Sequence, residues 1–178
     1  LLMGQKEPSQ SHIRLALEVS EGTSRFAATV KAATRKLAHD PEEAKRLCAS
    51  AGQGTDASKL RAACLKSCTR IPVLDKVPIL ADIESTVLRR ETAWAIGQNW
   101  SGNPVEIVDV ATQKSPGAQT LSASMTITAW SQDPASAAAA LLRIDDEKSS
   151  FYLWDTVIRS WQKHTSQAAA LSYLNSLT

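Results

Sequence analysis

The chain has 178 residues, is 43% hydrophobic and only 5% aromatic, and carries 20 Lys/Arg against 18 Asp/Glu for a net charge of +2. That length holds one compact domain or about five stacked helical hairpins. No apolar run approaches the roughly 18 residues that span a bilayer, and three cysteines, an odd number, exclude a complete disulfide framework.

The N-terminal Leu1-Leu2-Met3 is too short for a signal-peptide core. A chain that starts with leucine reads as a fragment or a processed form. The compartment stays open, with the cytoplasm slightly favoured over a processed secreted form. A polar stretch over 4–10 precedes an expected first helix from about Ser11 to Val19, which Glu21-Gly22-Thr23 breaks.

Beyond it the dominant signal is a tandem pattern. Trp100-Ser101-Gly102-Asn103-Pro104 and Trp130-Ser131-Gln132-Asp133-Pro134 are its clearest copies, and Leu37-Ala38-His39-Asp40-Pro41 is an earlier one. The leading slot falls at 37, 68, 100, 130 and 161, with intervals of 31, 32, 30 and 31. A fixed period in this range marks a solenoid or array. Asp40, Asn103 and Asp133 suit helix N-caps, and the prolines that follow suit the first helical position, where a missing N–H costs nothing. Apolar side chains before each slot (Phe26, Val30, Ala33, Leu37) and after each proline (Ala44 and Leu47, Ile107 and Val110, Ala137 and Ala140) recur at helical spacing.

The pattern therefore predicts helical hairpins over about 24–51, 56–82, 84–113, 118–144 and 148–177. The expected fold class is all-α: an α-solenoid of about five stacked hairpins plus the N-terminal helix, in one domain. Two copies deviate. Cys68-Thr69-Arg70-Ile71-Pro72 puts Ile71 in the cap slot, and Pro78 falls inside the second helix, which should be short or kinked. In the last copy His164 holds the cap slot, and Thr165 can cap with a one-residue shift.

Nothing in the chain points to catalysis. It has no phosphate loop, dinucleotide fingerprint or nucleophile elbow. Cys48, Cys64 and Cys68 read as buried thiols, with a Cys48–Cys64 or Cys48–Cys68 pairing as the alternative. No histidine stands at metal-ligand spacing from them. No cofactor and no metal are expected.

Candidate partner contacts are of two kinds. Trp100, Trp130 and Trp161 share the leading slot and read as packing residues. Trp94 and Trp154 lie six and seven residues before it, at positions that are not apolar in every copy, and Tyr152 and Phe151 adjoin Trp154. Trp94 and Trp154, with Tyr152, are expected apolar anchors. Charge is also uneven: residues 1–90 carry 15 Lys/Arg against 10 Asp/Glu, and residues 91–178 carry 5 against 8. Arg35, Lys59 and Arg61 represent the basic 25–70 segment, which also contains Lys66 and Arg70.

The Trp, two-residue turn, Asp/Asn-Pro and Ala-rich second helix resemble tetratricopeptide-like helical repeats, most closely the bacterial variants with Trp-x-x-Asp-Pro-x-x-Ala spacing. The likeness covers about Ser24 to Leu177. The longer standard unit, about 34 residues with a Trp-x-x-Leu-Gly-x-x-Tyr start, is not present. What the resemblance implies is a right-handed α-solenoid, a non-catalytic scaffold that binds proteins or peptides. The alternatives are a nucleic-acid-binding repeat acting through the basic 25–70 face, and a structural or self-assembly arm of a larger protein. The opposite charges of the two halves suit head-to-tail homo-oligomers.

Overall fold

Each Asp/Asn-Pro element starts a helix. The computed structural model describes residues 40–164, with side chains through Ser160, and among these residues the secondary structure is entirely helical. The helices are α1 (Pro41–Ser50), α2 (Thr55–Ser67), α3 (Val73–Ala81), α4 (Thr86–Gln98), α5 (Val105–Ala111), α6 (Ala118–Gln132), α7 (Pro134–Leu141) and α8 (Glu147–His164). The all-α expectation holds. The expected N-terminal helix, Arg35 and the second half of the last hairpin lie outside the described residues.

The capping chemistry is local and legible. Asp40 accepts from Glu43 N at 3.0 Å, and Asn103 accepts from Val105 N at 3.0 Å. Asp133 accepts from Ala135 N and Ser136 N. These carboxylates and amides satisfy donors that a helix start leaves open. Pro78 does not end α3, which continues to Ala81 at nine residues, within the range of α1 (10), α5 (7) and α7 (8). α8 runs without interruption through position 161 to His164, so the chain is still helical at the cap slot assigned to His164.

The helices form two layers. In one, α2 packs on α4, α4 on α6 and α6 on α8; in the other, α1 packs on α3, α3 on α5 and α5 on α7. α6 also touches α5 and α7. With four neighbours, it is buried along the whole run Leu121–Thr126. A helix enclosed on all sides has no room for a polar face, and α6 answers with small residues whose hydroxyls are satisfied. Ser122 donates to Gln119 O at 3.1 Å, and Thr126 to Ser122 O at 2.8 Å.

Polar links join successive first helices, successive turns and successive second helices. Ser124 Oγ donates to Trp94 O at 2.8 Å, and Thr128 Oγ1 to Gly97 O at 2.9 Å. Gly54 N donates to Glu84 Oε1 at 2.8 Å, and Lys45 reaches Asp75 at 3.0 Å. Each link spans 30 or 31 residues of sequence.

The core has a large part around Leu65, Val77, Leu80, Ile83, Ile107, Leu121, Met125, Leu141 and Leu153. A smaller part holds Ala44, Cys48, Leu60, Cys64, Cys68 and Ile71. Each fully buried large aliphatic contributes about 1.5–3 kcal/mol relative to exposure. Gly117 caps α6 with φ +90°, a left-handed conformation that favours glycine.

Candidate functional site

Two surface features stand out, and each grows from a helix already placed. The first is the outer face of α4. Val87 and Trp94 are seven residues apart on this 13-residue helix, two turns along one stripe, and are 67% and 39% exposed. The Ser124 bond to Trp94 O fixes the backbone that presents the ring.

The other expected contacts sit elsewhere. Trp154 is partly buried, with its ring edge-on to Trp130 at 5.9 Å between centroids and 77° between planes, and Tyr152 packs against the same core. Both are packing residues first, because α8 closes over the buried end of α6. Lys59 is exposed and pairs with Asp56 at 3.3 Å. Arg61 is corrected from a surface contact to an interior residue: it is 3% exposed. Its Nη2 donates to Gly52 O at 2.7 Å and ties the loop after α1 to α2, while Nε and Nη1 have no hydrogen-bond partner. Lys45 is likewise occupied, by Glu42 and Asp75 at 2.7 and 3.0 Å. The basic segment therefore puts part of its charge into the fold.

All three cysteines are buried, and no disulfide joins them. The Cys64 thiol donates to Cys48, which lowers Cys48 from its ordinary value, helped by the nearby Arg61 charge, and raises Cys64. No His/Cys/Asp/Glu grouping among the described residues could hold a metal ion.

The second feature is a cleft of about 230 Å³ between the α2–α3 turn and the end of α4. Leu65, Ile71, Val73 and Ile96 give it an apolar floor, and Trp100 forms one wall. Lys66, Arg70 and Lys76 line it with positive charge, and Thr69, Asn99 and Ser101 add hydrogen-bonding groups. No Asp or Glu is among its lining residues. Trp100 is held in place by its indole N–H, which donates to Glu106 at 2.8 Å. Gly102 lies so close beneath that ring that a Cβ there would come within 2.6 Å of Trp100 Nε1.

Sequence reading had Lys66 and Arg70 within the basic segment but passed over Lys76. The available signal was the missing cap residue at Ile71, beside which a lysine stands in the first turn of α3. No helix among the described residues is long and apolar enough to cross a membrane. No family model matches the chain, and neither a curated protein nor a solved structure does.

Proposed function

We propose that the chain is a non-catalytic protein- or peptide-binding scaffold built from stacked helical repeats, a right-handed α-solenoid of the tetratricopeptide-like kind. The observation that carries this reading is the pair Val87 and Trp94 on α4, two exposed apolar side chains flanking Arg90 and Glu91 on a helix whose backbone is bonded to its neighbour. A rigid aromatic anchor buries area at low entropic cost, which is what interface hot spots require. The two-layer packing and the links recurring at 30 or 31 residues support the repeat architecture. In this reading the first helices present the binding face and the second helices support them from behind.

The test is selection from a random displayed peptide library on the full chain and on Trp94→Ala. The wild type should enrich a common motif with an apolar residue, and Trp94→Ala, folded by circular dichroism, should lose it. Enrichment of the same motif by both proteins, or of none by the wild type, would refute the reading.

A further inference from the structure

Among the second helices, α3 starts differently. Where Asp40, Asn103 and Asp133 supply side-chain acceptors, α3 has the buried Ile71 and the exposed Pro72, and no side chain caps its first turn. Its positive end, with backbone donors directed outward, opens on the cleft, which Pro72 and Val73 line.

Lys76 stands one turn into the same helix. The Cα–Cβ bond of a helical residue tilts toward the N-terminus, and Lys76 lines the cleft. It is 7% exposed, and no carboxylate pairs with it among the described residues. Its neighbour Asp75 pairs with Lys45 instead. A cation in the first turn opposes the helix dipole, and a buried, unpaired ammonium costs free energy. Burial accordingly holds the Lys76 amine below its ordinary value, against a smaller opposing effect of Cys68. A bound anion would compensate the charge and supply the missing cap together.

We propose that this cleft binds a phosphate monoester with a small apolar body. The phosphoryl group sits at the start of α3 on Lys76, and the body lies against Trp100, Ile96 and Pro72. Lys66 and Lys76, with no lining carboxylate, suit a phosphoryl group of about −1.5 to −2 charge at pH 7. The apolar floor and the Trp100 wall have no use for a bare ion. A volume of about 230 Å³ lies below the roughly 300–1,000 Å³ of drug-sized sites and calls for a small ligand. The site does not depend on the α4 stripe: Trp94 is not among its lining residues, and the probe below is not a peptide.

The experiment is isothermal titration of the full chain with phenyl phosphate at low salt, beside inorganic phosphate and benzoate. Phenyl phosphate should bind with a Kd of about 1 mM or tighter and more tightly than either comparator. Lys76→Met removes the charge with the volume kept and should weaken binding about tenfold or more, the worth of one charge-assisted hydrogen bond. Pro72→Asp places a capping carboxylate at the exposed start of α3, so it should abolish binding without lowering the thermal midpoint. Absence of binding up to about 10 mM phenyl phosphate would overturn the proposal. So would benzoate or inorganic phosphate binding as tightly, or a folded Lys76→Met that binds like the wild type. If Lys76→Met does not fold, unchanged affinity in Pro72→Asp overturns it.

Discussion

Gly97 faces Ser124 where α4 passes α6, so closely that a Cβ on Gly97 would lie 2.5 Å from Ser124 Cβ and 2.8 Å from Met125 N. The approach lets Ser124 and Thr128 reach the carbonyls of Trp94 and Gly97 on the facing helix. A glycine inside a helix costs about 0.5–1 kcal/mol relative to alanine, so its presence in α4 is explained by the packing it permits.

Gly97→Ala should therefore destabilise the protein, against helix propensity, by about 1–3 kcal/mol. Urea unfolding of Gly97→Ala, Ser124→Gly and the double variant gives the check. Ser124→Gly should relieve only part of the loss, because Met125 N, a backbone atom, cannot move away independently. A Gly97→Ala variant as stable as the wild type would mean that the helices are not held at this distance.

The two outlying tryptophans should separate by what their removal affects. Trp154 stacks edge-on against Trp130 and belongs to the core contacts. Trp154→Ala should cost about 3–5 kcal/mol. Trp94 is exposed, so Trp94→Ala should stay within about 1 kcal/mol of the wild type. Thermal unfolding of the two variants decides this, and equal losses would contradict the assigned environments.

Stability should fall in acid through the cap of α7 and the carboxylate before α8. The bonds from Ser136 hold Asp133 below its ordinary 3.8, and those from Ser149 do the same for Asp146. Both carboxylates stabilise the folded state fully above the unfolded value, and the contribution disappears as pH falls through the lower folded value. Asp133→Asn should flatten the dependence of urea-unfolding midpoints on pH below about 4. An unchanged slope would show that the cap does not titrate as described.

Much of the fold was legible because its signals are local. Asp40, Asn103 and Asp133 cap helices through atoms two or three residues away, so their role follows from sequence spacing alone. The Pro78 expectation was only half met, since α3 is short like its counterparts and continues through the proline. The candidate sites were less legible. Arg61 and Lys59 are two residues apart on α2 and so point about 200° apart around it; Arg61 shares the buried face of Ala57 and Cys64 and donates to Gly52 O, while Lys59 is exposed.

The sequence by itself determined that the described chain is helical and where most helices begin. Spacing, caps and prolines act over a few residues, and their energetics do not wait for distant partners. The tertiary structure decided which side chains are free. It enclosed α6 among four helices, turned Trp154 onto Trp130, drew Arg61 inward, and set Lys76 without a carboxylate beside the uncapped start of α3. Burial and charge pairing depend on what distant helices bring near, and no local spacing records that.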